Sequence, residues 1–156
     1  MQTIDRLETI VKEHPFLSNL DTKFLDFFYD CASIRRFASQ QQIFNEGREA
    51  DHFYLIVTGH VVLETFVPGC GMVTIQSLGP GDALGWSWLF RPYQWHFTAT
   101  THEPTEVISL DAQTLRAKAE QDRDFHDELI TRVAKTLYQR LLGTRAQLIE
   151  LYQIRP

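Results

Sequence analysis

Trp86, Trp88, Phe90, Tyr93, Trp95 and Phe97 crowd into one short stretch, with Arg91 the only Lys or Arg among them. Rings at this density either fill a core or line a pocket for an apolar or aromatic small molecule. If buried, their indole and phenol groups need hydrogen-bond partners, and Ser87, Gln94 and Thr98 are the polar residues at hand. Arg91 precedes the turn-forming Pro92 and reads as a solvated side chain; turned inward, it would meet an anion. Catalytic groupings are wanting. His14, His52, His60, His96, His102 and His126 show no His-x-His with a downstream Glu and His that would converge on one metal. Glu103 beside His102 reads as a turn residue before Pro104, and no Ser-His-Asp or Cys-His grouping is evident. No enzyme and no cofactor are expected.

The elements that must position this block fit one globular domain of 156 residues, with 44% apolar and 12% aromatic residues supplying a core. A net charge of −5 argues against a phosphate-neutralising surface, so no specific DNA binding is expected. Cys31 and Cys70 have no metal or redox spacing, and reduced thiols in the cytoplasm are the default. The N-terminus lacks a signal peptide's basic start and apolar run, and no stretch reaches the ~20 apolar residues of a membrane span.

Thr3 can cap a first helix carrying Ile4, Leu7, Ile10 and Val11, ended by His14-Pro15; a second begins near Asp21 with Phe24, Leu25, Phe27 and Phe28. From Ile34 to Asp111 short β-branched and aromatic runs alternate with Gly and Pro: 34–37, 43–44, 53–57, 60–67, 72–78, 97–101 and 107–110. That rhythm predicts an antiparallel barrel or jelly roll. Thr58-Gly59 and Pro68-Gly69-Cys70-Gly71 make hairpin turns, and Gly47, Gly79 and Gly81 are expected at backbone angles costly for other residues. Asp111 caps a helix over 114–119, and a last helix runs from about Arg123 to Tyr152.

Ile43 to Leu63 (I-F-N-E-G-R-E-A-D-H-F-Y-L-I-V-T-G-H-V-V-L), succeeded by G-P-G-D at Gly79 to Asp82, resembles the cyclic nucleotide-binding domain of catabolite-activator-type regulators. The resemblance covers nearly the whole chain. It implies an α+β, mainly β fold: a double-stranded β-helix or jelly-roll barrel with flanking N-terminal helices and a long C-terminal dimerisation helix. In that family a short helix inside the roll opens with Gly-Glu, and an Arg about a dozen residues later begins the next strand. Helix-start amides and the Arg clamp the cyclic phosphate, while the Glu takes the ribose hydroxyl. Here Gly85 matches the glycine, Trp86 stands at the Glu and Phe97 at the Arg, and Thr98 and Ala99 match the two positions after the Arg. The ligand pocket implied comprises Leu84, Gly85, Trp86, Ser87, Trp88, Arg91, Phe97, Thr98 and Ala99, without its two charged contacts. Some relatives use the roll for haem, for which His96 or Cys70 would be the ligands; a surface histidine and a small turn residue are the plainer readings.

Ile130, Ala134, Leu137, Leu141, Thr144, Leu148 and Leu151 alternate spacings of four and three, a heptad seam for a parallel homodimer. Leu129, Val133, Leu142 and Ile149 lie off that seam, free to pack on the chain's own roll. The expected domains are a roll over 1–122 and a dimerisation helix over 123–156. In DNA-binding relatives this helix leads into a helix-turn-helix domain, whereas this sequence stops at Ile154-Arg155-Pro156. The function expected is a non-enzymatic regulatory or sensor domain in signal transduction that does not bind cAMP or cGMP in the usual way. The alternatives are a genuine cyclic nucleotide or other small-ligand transcriptional regulator with its DNA-binding domain absent or truncated, and a ligand-free protein-interaction module. Its expected partners are a second copy and an unknown small molecule or effector protein.

Overall fold

The computed structural model describes residues 2–154, and the side chains of 6–153. The side chains of Thr3 and Ile4, expected to begin the first helix, lie outside the described residues. The chain forms two compact units, residues 1–117 and 118–156.

The first unit opens with α1 (Gln2–Glu13), a 3-10 turn (Pro15–Leu17) and α2 (Thr22–Cys31). Asp21 caps α2 by accepting from the Lys23 amide at 3.1 Å. Eight strands come next: β1 (Ala32–Phe37), β2 (Gln42–Phe44), β3 (His52–Thr58), β4 (Val61–Val67), β5 (Gly71–Leu78), β6 (Ala83–Leu84), β7 (Thr98–Thr101) and β8 (Thr105–Asp111). They pair antiparallel into two four-stranded sheets, β1-β8-β3-β6 and β2-β7-β4-β5, the expected jelly-roll class. β6 was not expected. It is two residues long, and only its pairing of Leu84 with Tyr54 and Ala83 with Leu55 defines it. Gly47 and Gly81 take positive φ as expected, but Gly79 does not.

The central strands are buried on both faces, which is why they read as apolar runs: Phe53, Leu55, Ile56, Val107, Ile108 and Leu110 have no exposed surface. On the inner strand β8 Glu106 accepts from Arg6 at 2.6 Å and from Arg36 at 2.9 Å. Burial alone would raise its pKa; the bonds and charges of the two arginines outweigh this and hold it below the ordinary 4.5. The β4–β5 hairpin projects apolar side chains into solvent, with Phe66 and Met72 facing each other across the strands at 62% and 51% exposure. The second unit is chiefly α4 (Arg123–Ile154), which continues α3 (Ala112–Gln121) after a break at Asp122. Asp111 caps α3 by accepting from the Thr114 amide at 2.9 Å, and Asp122 caps α4 by accepting from Phe125 at 3.1 Å.

His14 ties the N-terminal segment to the roll. Its Nδ1 accepts from the Phe16 amide at 3.2 Å, so Nε2 carries the proton and donates to the Ile56 carbonyl at 2.9 Å. Burial dominates and lowers its pKa below the ordinary 6.5, against the Ile56 bond and the Asp82 charge, which favour the cation. Between the lowered and ordinary values the unfolded chain binds more protons than the folded one. His14 therefore contributes stability that is complete above pH 6.5 and lost as pH falls. Thermal melts between about pH 7 and pH 5 should show a smaller loss of stability for His14→Gln than for wild type. Parallel profiles would show that His14 does not carry this dependence.

Candidate functional site

The segment from Leu84 to Ala99 does not form the short helix the resemblance implied. After β6 the chain makes a single turn in which Leu89 N–H donates to the Trp86 carbonyl at 3.0 Å, then a second closed by Tyr93 and Phe90 at 2.9 Å. Phe97 is half-buried, and strand β7 begins only at Thr98. The physical reason is the side chains: Trp86 is 7% and Trp88 0% exposed, so alternate positions turn inward, a pattern a helix would split between faces.

Over Gly85 lies Trp95. A Cβ built on Gly85 would sit 2.8 Å from Trp95 Cζ3, and Gly85 has φ of +60°. The indole is fixed from both directions. Its backbone N–H donates to Arg48 O at 2.9 Å, its carbonyl accepts from Gly47 N at 2.8 Å, and Tyr93 O accepts from Ala50 N at 2.7 Å. Its ring stacks on Phe44 with centroids 3.7 Å apart and planes 9° from parallel, and Tyr54 extends the stack. A second cluster forms around Phe53, where Trp88, Trp86 and Phe16 lie 4.7, 5.3 and 5.3 Å away. Phe16 also meets Trp86 at 5.8 Å.

The polar partners foreseen for these rings are otherwise engaged or turned away. Thr98 Oγ1 accepts from the Glu46 amide at 3.1 Å, Ser87 is half-buried, and Gln94 is exposed. Trp88 Nε1 is buried without an acceptor among the described residues, a cost of about 1–3 kcal/mol. Arg91 is exposed, its guanidinium 5.9 Å from the Tyr93 ring. Arg116 of α3 reaches further in: it donates to the Trp88 carbonyl at 2.6 Å and lies 4.0 Å over Tyr93. Leu84 and Ala99 are fully buried core. Trp95, Phe44, Tyr54 and Arg116 are thus the residues sequence reasoning left out of the pocket. Trp95's place in the aromatic run was the one visible signal.

No three His, Cys, Asp or Glu side chains among the described residues converge as metal ligands. Tyr54 is raised in pKa chiefly by burial, against the nearby Arg35, which donates to its hydroxyl at 3.3 Å. Cys31 is pushed up to about 11 by burial, so it is a protonated thiol rather than a nucleophile. Cys70 is exposed in its turn.

Gly85→Ala should destabilise the protein by about 2 kcal/mol or more, combining left-handed backbone strain with overpacking against Trp95. Urea denaturation measures it. Combining it with Trp95→Leu should recover the steric part, and an unchanged midpoint for Gly85→Ala would contradict the contact.

A family model, the cyclic nucleotide-binding domain, matches residues 34–122. A CRP-like cAMP-activated global transcriptional regulator of Mycobacterium tuberculosis is 27% identical over 109 residues, covering 70% of this chain and 47% of that protein. The chain thus spans about half the length of this curated relative. A crystal structure of a putative cyclic nucleotide-binding protein from Geobacter metallireducens is 26% identical with a TM-score of 0.75, over 90% of this chain and 99% of that one. A cyclic nucleotide-binding domain from Methylobacillus flagellatus, 17% identical, shares the fold at a TM-score of 0.78 over 96% of this chain and 84% of its own. With the β-roll, the Gly85 turn and the family match all falling on the same residues, the chain belongs to the cyclic nucleotide-binding domain family.

Proposed function

We propose that this chain is a non-enzymatic regulatory domain of that family whose nucleotide seat is occupied by its own Trp95. One observation carries the reading: the indole packs on Gly85, the glycine that in the family leaves room for the cyclic phosphate. A nucleotide entering there would have to displace a ring with 2% exposure. Truncating such a ring costs about 3–5 kcal/mol. It would also find Trp86 and Phe97 where the family places a carboxylate and a guanidinium, and the loss of a charged partner typically costs about 2–5 kcal/mol. Each ~1.4 kcal/mol is a tenfold loss of affinity.

Output passes through a homodimer built on α4, with the roll over 1–122 and the dimerisation helix over 123–156 as its two parts. In support, Leu137, Leu141, Leu148 and Leu151 of the heptad seam are 40%, 67%, 54% and 64% exposed, and Ile130 is 37% exposed. Ala134 and Thr144 between them are exposed too. Off that seam, Leu129 and Val133 are buried. Leu142 and Ile149, also off the seam, are 42% and 45% exposed, so the apolar surface awaiting cover is wider than one stripe. No helix among the described residues is long and apolar enough to cross a membrane.

Calorimetric titration of cAMP or cGMP at micromolar concentration should give no saturable heat. A dissociation constant near 1 μM, about −8 kcal/mol, would overturn the reading. Such binding abolished by Arg91→Ala would instead favour a nucleotide-responsive regulator, as the mycobacterial relative is described.

Leu141→Glu should convert dimers to monomers, since it sets two like charges against each other across a twofold axis. Gln139→Glu, on the opposite side of the helix, should leave association intact. Light scattering that finds wild type monomeric, or Leu141→Glu still fully dimeric, would remove α4 as the interface.

A further inference from the structure

A cleft of about 290 Å³ opens where the end of α1 meets the roll, apart from the Gly85 turn. Ile10, Pro15, Ile56 and Pro80 give it an apolar wall, and Glu13 is the only permanently charged residue lining it. We propose that this cleft binds a small organic ammonium ion with an apolar body.

The field in the cleft is negative from several sources. Glu13 is the last residue of α1, so its negative charge adds to that of the helix's C-terminal end. No hydrogen bond or ion pair occupies that carboxylate among the described residues. Asp82 adjoins the lining residue Gly81, and its charge is felt at His14. The cations that would cancel this field are engaged elsewhere: Lys12 binds Glu8 at 2.7 Å, and Arg6 binds Glu106 at 2.6 Å. His14, itself on the wall, is held neutral by burial, with Nδ1 taken by the Phe16 amide. A bare metal ion fits poorly, because hard cations require several oxygen ligands and the wall supplies one carboxylate beside an imidazole whose two nitrogens are already bonded. An ammonium group satisfies one carboxylate, and its carbon skeleton removes the apolar wall from water. The volume stands at the low end of ligand pockets, about 300–1,000 Å³, so the ligand is small.

The cleft is placed to be read by the aromatic cluster. A Cβ on Gly81 would come within 3.1 Å of Pro15 Cγ, so the two walls meet closely. Phe16, next to Pro15, packs on Trp86 and Phe53. Gly81 leads through β6 to Gly85. Occupancy therefore touches both chain segments entering the cluster. The proposal does not depend on whether the nucleotide seat is filled.

The test is calorimetry on the whole chain at about pH 8, where the amine is charged and His14 neutral, comparing cyclohexylammonium chloride with cyclohexanol. The expected result is saturable binding of the ammonium with a dissociation constant of about 1 mM or below, and at least about tenfold weaker binding of the alcohol. Glu13→Gln should weaken the ammonium about tenfold or more. Glu8→Gln, the same charge change on the same helix but off the wall, should stay within about twofold. The Trp86 indole resonance should shift on binding. No saturable heat, equal binding of the alcohol, or an unaffected Glu13→Gln variant would each overturn the proposal. If Glu13→Gln fails to fold, the ammonium against alcohol comparison on wild type decides alone.

Discussion

The contact between the Trp95 ring and the bare Cα of Gly85 organises the interior of this roll. It exists only because residue 85 has no Cβ and because the 93–95 segment hydrogen-bonds to the 47–50 loop, which sets the indole's height above the turn. Phe44 stacks on the ring with centroids 3.7 Å apart, and Tyr54 lies roughly parallel to it with its centroid 6.5 Å away. Trp86 and Trp88, just after the turn glycine, pack in the other direction on Phe53. The same missing Cβ admits either a phosphate or a ring, so glycine at this position says nothing by itself about which one occupies the space.

Two aromatic clusters result, one between the sheets around Trp95 and one around Phe53 that reaches the N-terminal segment through Phe16. Polar contacts tie neighbouring elements to them: Arg116 donates to the Trp88 carbonyl, Arg35 to the Tyr54 hydroxyl, and His14 to the Ile56 carbonyl. The charge stays on the outside or over a ring, as with Arg116 above Tyr93, while the main chain receives the hydrogen bond.

Features that depend on near neighbours were legible from the sequence. Asp21 and Asp111 cap helices because the amides they satisfy lie two and three residues away, and the Gly59 and Gly69–Gly71 turns arise from residues that tolerate positive φ. The jelly-roll class was legible in the rhythm of short β-branched and aromatic runs broken by Gly and Pro. Features set by distant partners were not legible. Strand β6 exists through Tyr54 and Leu55, the inward pose of Trp95 through Gly47 and Arg48, and the role of His14 through a carbonyl 42 residues along the chain. The exposure of Leu142 and Ile149 was missed for a related reason: helical periodicity shows that a helix has two apolar faces, but not how far along its length each is covered.

The β4–β5 hairpin has a bearing on how the protein behaves in bulk. From Thr65 to Gly81 the chain carries no Asp, Glu, Lys or Arg, and β5 is the outer strand of its sheet, with Met72, Val73 and Ile75 in solvent. Folded proteins usually guard such a rim with lysine, proline or a bulge. Here the register shift opposite Leu63 and Glu64 is the guard within the paired strands. Dispersal in solution therefore falls to the net charge of −5 carried by the rest of the molecule. That repulsion reaches about 10 Å at 0.1 M salt and about 3 Å at 1 M. Concentrated salt thus bares the rim, making colloidal stability a property of ionic strength at least as much as of temperature.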